Sequence, residues 1–144
     1  KRRDYTRVVN GRNPIVAHEY LGDSVEGKTV FIADDIIASG ESMLEVASNL
    51  KARGAKRIIA DATFPLFTSG LDKFDKAVEE GTLDYVVGTN LTYRKPELLN
   101  RDWYVDVDVS KYAAYFIVAL NHDMSVSSII DPIKKIEALL ANRK

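Results

Sequence analysis

The residues best suited to chemistry in this sequence are Asp34-Asp35-Ile36-Ile37-Ala38-Ser39-Gly40-Glu41-Ser42. They continue the apolar run Thr29-Val30-Phe31-Ile32-Ala33, which is rich in β-formers and does not alternate. Such a run reads as a central parallel strand covered on both faces. In an open parallel sheet, ligands bind beyond the carboxyl ends of the strands and above helix N-termini. Here two carboxylates stand at a strand end, the small-residue turn Ala38-Ser39-Gly40 follows, and a helix begins. The first N–H groups of a helix lack intrahelical partners, so a phosphate placed there satisfies them and gains from the helix dipole. Ser39 and Ser42 add hydroxyl donors, and Gly40 lets a ligand approach the backbone closely. Asp34 and Asp35 are placed to accept hydrogen bonds from sugar hydroxyls. The arrangement reads as a sugar-phosphate site. A structural role fits the same spacing, because acids at strand ends also cap helices and serine-glycine turns are common.

No lysine follows the glycine as a P-loop requires, and the glycines of a dinucleotide fingerprint are missing. The 144 residues carry 20 basic against 21 acidic side chains, which excludes a globally cationic nucleic-acid binder but leaves room for a local basic patch. With no cysteine there is neither a disulfide framework nor a thiolate metal site, which fits a reducing compartment such as the cytoplasm. His18 and His122 are too few and too isolated for a metal centre and read as surface or helix-end residues, so no metal ligands are expected within this chain. No apolar run approaches the roughly 20 residues of a membrane-spanning helix. The longest, Tyr112 to Leu120, has the length of a buried helix. There is no signal-peptide pattern, and the opening at Lys1 rather than methionine suggests a part of a longer protein.

The remaining segments must position that strand end. Lys1 to Asn13 is polar, carries Lys1, Arg2, Arg3, Arg7 and Arg12, and has no period, so it reads as a loop or mobile arm. Pro14 to Ala17 opens a short strand, and Gly22 and Gly27 punctuate a turn. Ser42 to Arg53 places Met43, Ala47 and Leu50 on one stripe of a helix closed by Gly54. Arg57 to Phe64 is a strand, Leu71 to Glu80 a helix and Leu83 to Val87 another strand. Trp103 to Val109 alternates strictly, as an edge or half-exposed strand does. Ser110 caps a helix, Lys111 to Asn121, that is apolar almost all round. Asp131-Pro132 starts a last helix with Ile133, Ile136, Leu139 and Leu140 on one stripe. Strand and helix alternate throughout, without repeats or an internal linker. The expected fold is therefore α/β: one domain over residues 1–144 with an open, mostly parallel sheet flanked by helices. Trp103, Tyr104, Tyr112, Tyr115 and Phe116 are expected in core or subunit contacts, and Lys134-Lys135 on a solvated face.

Phe31 to Ser42, FIADDIIASGES, resembles the ribose-phosphate binding signature of the type I phosphoribosyltransferase fold. Other segments, in matching order, narrow the resemblance to the ribose-phosphate pyrophosphokinases, or phosphoribosyl-pyrophosphate synthetases. Lys1-Arg2-Arg3 resembles the K-x-R of that family's flexible catalytic loop, and Gly22 to Ile37 its G-x-x-x-G-K-T-x-x-x-x-D-D-I-I stretch. Leu50 to Ala60 resembles a family helix-to-strand step, Thr89-Asn90 its T-N after a strand, and Ser125 to Ser128 its S-V-S-x-L-F. The resemblance implies that Asp34 and Asp35 bind ribose hydroxyls and that Ala38, Ser39, Gly40, Glu41 and Ser42 cradle the 5-phosphate. It implies that Lys1 and Arg3 stabilise charge on the pyrophosphoryl group as it moves from ATP to the ribose C1 hydroxyl. It further implies a C-terminal half of a two-domain, cytoplasmic, homo-oligomeric enzyme. The ATP pocket and Mg2+ ligands would lie mainly in the other half, and the isolated fragment would be inactive. No nucleic-acid or membrane partner is expected.

Five departures bear on this. Ala38 replaces the family's third acid and Glu41 its second glycine, so a carboxylate stands beside the phosphate site unless it turns outward. Phe64 stands where histidine is frequent, the stretch from Arg3 to Asp34 is long, and Pro132 to Lys144 extends past the usual end. Two alternatives stay open: a phosphoribosyltransferase that joins a base to the product, and a non-catalytic relative that binds sugar phosphates or nucleotides to regulate a partner.

Overall fold

The structure, a computed structural model, describes Arg2–Arg3, Thr6, Val8, Ile15–Ala17, Tyr20 and residues 22–142. Strands β1 (Arg2–Arg3) and β2 (Ile15–Ala17) pair antiparallel as a separate ribbon. Strands β3 (Thr29–Ile37), β4 (Arg57–Pro65), β5 (Tyr85–Thr89) and β6 (Tyr104–Val107) form one all-parallel sheet in the order β3-β4-β5-β6. The expected α/β class is therefore observed, and β6 is the edge strand its alternation announced.

Two expectations need correcting. Arg2–Arg3, read as part of an irregular arm, is a strand, held by pairing with β2. Strand β3, read as central and covered on both faces, lies at the edge of its sheet among the described residues, and Phe31 is 59% exposed. The most buried strand is β4, whose Ile58, Ala60 and Ala62 are each fully buried. A continuous apolar run shows what a strand is able to bury; the neighbours that cover it depend on topology.

Helix α1 (Glu41–Ala52) joins β3 to β4 and buries Met43, Ala47 and Leu50, one stripe at the 3.6-residue period. Helix α2 (Asp72–Glu79) joins β4 to β5 and buries Phe74 and Ala77. Both lie in one core with Ile58, Ala60, Ala62, Val86 and Tyr104, so both cover the same face of the sheet. Chirality explains this. Strand order advances one step at a time in a single direction, and right-handed crossovers taken in one direction put every helix on one side. Gly88 shows how tightly that face is filled: a Cβ there would lie 2.5 Å from the Tyr104 hydroxyl and 2.8 Å from Pro65. The Tyr104 hydroxyl has no hydrogen-bond partner among the described residues. Burial, reinforced by Asp106 and opposed by Arg94, pushes its phenol up to about 12.

The short helices α3 (Pro96–Leu99) and α5 (Ser127–Ile130) carry too little periodicity to be read from sequence. Helix α4 (Ser110–Asn121) starts at Ser110 itself, whose N–H donates to Asp108 Oδ1, and ends at an exposed His122. Its apolar circumference suggested burial, yet only Ala119 is buried. Helix α6 (Ile133–Ala141) begins after Asp131, whose Oδ1 accepts the Ile133 N–H, and its Ile133, Ile136, Leu139 and Leu140 are all exposed. Trp103 and Tyr104 are core residues as expected, Tyr112 and Tyr115 are exposed, and Phe116 is half-buried. Lys135 lies over the Tyr112 ring, so it is not solely a solvated lysine.

Candidate functional site

A small hollow of about 150 Å³ opens where β3 gives way to α1, lined by Asp34, Ile36, Ala38, Ser39, Gly40, Ser42 and Met43. The strand runs four residues further than its apolar part predicts, to Ile37, so Asp34 and Asp35 are strand residues. Alternation then sends them to opposite sides. Asp34 shares the side of Val30 and Ile32, toward α1, and lines the hollow; Asp35 is not in its lining. The Asp35 N–H donates to Asp34 Oδ1 at 2.8 Å, which fixes one carboxylate oxygen and leaves Oδ2 outward of that bond.

Gly40 is the hinge of the site. It caps α1 in the left-handed region, with φ of +77°, and accepts the Leu44 N–H. A Cβ there would lie 2.3 Å from the Phe74 ring, so both conformation and space demand glycine. Backbone bonds clamp the turn from the neighbouring loop. The Leu66 and Phe67 N–H groups donate to the Ile37 carbonyl and the Thr68 N–H to that of Ala38. Phe67 adopts φ of +45° in making this contact and sends its ring, 4.8 Å from that of Phe74, into the core.

Glu41 does not line the hollow. Its carboxylate turns to α2 and meets Lys73 Nζ at 2.7 Å. The pair is half-exposed and contributes little stability, but it takes the charge away from the turn. Ile36 and Met43 line the hollow and Phe74 backs the turn, while Lys73 is the residue that no signal in the sequence assigned to the site. Lys1 lies outside the described residues. Arg3 belongs to β1, apart from the main sheet, and its side chain is not described.

Thr89 and Asn90 brace the carboxyl edge of the sheet. Thr89 Oγ1 donates to the Thr63 carbonyl at 2.6 Å and joins β5 to β4. Asn90 Nδ2 donates to Asp108 Oδ1 and Ser110 Oγ, and its Oδ1 accepts the Val109 N–H. The hydrogen bonds from Ser110, then that from Asn90, hold the Asp108 carboxyl below its usual range. A larger hollow of about 350 Å³ opens past β4 between Leu66, Phe67, Tyr93 and Leu98. Asp72, Glu97, Lys95 and Arg101 give its lining both signs of charge. Among the described residues no three histidine or carboxylate side chains converge to hold a metal ion.

Comparison with known proteins places this geometry. Residues 1–90 match the profile of the phosphoribosyl transferase domain. A ribose-phosphate pyrophosphokinase of Vibrio cholerae is 30% identical over 111 residues, which make up 77% of this chain and 34% of that protein. An orotate phosphoribosyltransferase of Oceanobacillus iheyensis is 41% identical over 64 residues, 44% of this chain and 30% of the relative. The crystal structure of phosphoribosylpyrophosphate synthetase from Mycobacterium smegmatis shares the fold, with a TM-score of 0.61 at 24% identity over 71% of this chain and 33% of that one. The chain thus spans about a third of the length of the pyrophosphokinases it matches. The strand, the turn and the helix that form the hollow all fall within the matched residues, and the chain belongs to the phosphoribosyl transferase domain family.

Proposed function

We propose that the chain is the ribose-5-phosphate-binding domain, and the C-terminal half, of a ribose-phosphate pyrophosphokinase. The observation that carries this is the convergence of Asp34, Ser39, Gly40 and Ser42 on one small hollow at the start of α1. The 5-phosphate sits at the helix N-terminus, where the dipole and the Ser39 and Ser42 hydroxyls favour an anion. A ribose lying across the end of β3 meets Asp34 on one side of the strand and Asp35 on the other. Its C1 oxygen attacks the β-phosphorus of ATP; the bond from that phosphorus to the α-bridging oxygen breaks, AMP leaves, and the C1 hydroxyl proton is lost. Lys1 and Arg3 supply cations to the charge redistributed in this step. Mg2+ would serve with ATP in the remainder of the longer protein. By resemblance the enzyme is a cytoplasmic homo-oligomer; no described helix is long and apolar enough to cross a membrane.

The reading is tested in the full-length protein by titrating ribose 5-phosphate calorimetrically and measuring turnover with ATP. Asp35→Asn should weaken ribose-phosphate binding about tenfold or more, the loss of a charge-assisted hydrogen bond. Lys1→Ala should lower kcat by orders of magnitude with little change in KM. Unchanged binding and turnover in both would overturn it. The similarity to an orotate phosphoribosyltransferase favours a second reading, a transferase that consumes the pyrophosphate product, and absence of turnover with ATP would point there. Of the two changes that motivate the non-catalytic alternative, Glu41 is turned toward Lys73, while Ala38 still stands where the family has an acid.

A further inference from the structure

Glu41 is the residue least expected beside a phosphate. It opens the first turn of α1, between the Gly40 and Ser42 that line the hollow. The Leu44 N–H donates to the Gly40 carbonyl, so residue 41 lies at the positive end of the helix. A carboxylate there is drawn to the same end that would hold a phosphate, and the two anions repel each other. Two hollows flank the residue. Glu41 lines the groove of about 350 Å³ between α1 and α2, together with Leu44, Ser48, Lys73 and Lys76. It does not line the smaller hollow of Asp34 and Ser39. In the groove its Oε1 meets Lys73 Nζ at 2.7 Å.

Lys73 is held in place by its two successors on α2. Phe74 is fully buried, and its ring fills the space beside Gly40. Asp75 accepts hydrogen bonds from Arg101 and the Trp103 indole at 2.7–2.9 Å. The same turn of α2 therefore shapes residue 40 by contact and presents a cation to residue 41. The other lysine of the groove, Lys76, is paired with Glu80 at 3.7 Å. Lys73 and Glu41 are both about half-exposed, so their pair adds little to stability. Its effect lies in the charge that an arriving ligand meets.

We propose that Lys73 is a positioning residue of the phosphate site: by pairing with Glu41 it turns that carboxylate into the α1–α2 groove and offsets its charge, so that a turn with glutamate at residue 41 still accepts a phosphate dianion. This rests on the ribose-phosphate reading and adds a residue to it. In the full-length protein, ribose 5-phosphate and inorganic phosphate are titrated calorimetrically into wild type, Lys73→Met, Lys73→Arg and the double variant Lys73→Met/Glu41→Gln. At low salt Lys73→Met should bind both about fivefold to tenfold more weakly, the effect of one uncompensated charge near a dianion in a water-like dielectric. The gap should close toward 1 M salt, where screening acts within about 3 Å. In turnover the change should fall on KM for ribose 5-phosphate rather than on kcat, the reverse of what is expected for Lys1. Lys73→Arg should bind as wild type does, and the double variant as tightly or more so. The Tm of Lys73→Met should move by less than about 2 °C. Undiminished binding in Lys73→Met overturns the proposal and leaves the ribose-phosphate reading standing, whereas no binding to wild type overturns both. A loss that Glu41→Gln does not rescue also overturns it, since Lys73 would then touch the phosphate itself or support the fold.

Discussion

On one face of the sheet Ile58, Ala60, Ala62, Val86 and Tyr104 lie beneath α1 and α2, filled so closely that Gly88 has no room for a methyl group. On the other, Phe31, Ile59, Tyr85, Val87, Val105 and Val107 are of the same chemical kind and lie partly in water. The same four strands supply both sets. Residue type therefore does not decide which face is covered; the direction of winding does. The closed face fixes the turn of the candidate site as well, since the Phe74 ring that plugs it also excludes a side chain at residue 40.

The contrast can be broken most directly at the aromatic plug. Phe74→Ala should cost about 4 kcal/mol in equilibrium unfolding, as for other fully buried Phe truncations. Phe31→Ala in the same full-length protein then gauges the other face: a loss above about 2 kcal/mol means that it has acquired a cover, and a loss below about 0.5 kcal/mol means that it has not.

A smaller effect is expected at the rim of the closed face. Asp75 on α2 accepts two hydrogen bonds from Arg101 and one from the Trp103 indole, all at 2.7–2.9 Å. Burial pulls its carboxyl upward, but the hydrogen bonds from Arg101 and Trp103 and the guanidinium charge more than reverse this, so its folded value lies below 3.8. A lowered folded value means stability that is present above the unfolded value and is lost as pH falls through the folded one. Asp75→Asn should accordingly cost about 1 kcal/mol near neutral pH, discounted because the pair is partly exposed, and the difference from wild type should vanish as pH falls through the lowered folded value. A pH-independent difference in urea midpoints would show that the carboxylate charge is not involved.

The smallest change sharpens the comparison within the closed face itself. Tyr104→Phe deletes a buried hydroxyl that has no partner among the described residues, and should leave stability within about 0.5 kcal/mol of wild type or raise it. A loss above about 1 kcal/mol would reveal a hydrogen bond to something outside the described residues.

The strand, the small-residue turn and the helix of the site were legible in sequence because each rests on local physics: β-branched residues, a glycine before an amphipathic run, serines at a helix start. Asp34 and Gly40 could be picked out for the same reason. The direction taken by Glu41 could not, because its partner Lys73 is on another helix. Nor could the edge position of β3 or the exposure of α4 and α6, since hydrophobicity records a capacity for burial and the covering element has to come from elsewhere. Thr89-Asn90 was singled out only by resemblance, and nothing in the sequence predicted their hydrogen bonds with Thr63, Asp108 and Val109.

The one-directional strand order also bears on how the domain comes into being. Each strand of the β3-β4-β5-β6 series pairs with the one made just before it. A ribosome releasing the chain from its N-terminal end therefore always presents the next strand to an edge that already exists, at the cost of closing only one short crossover. Assembly can proceed as a queue, each β–α step docking on the strand before it as it emerges.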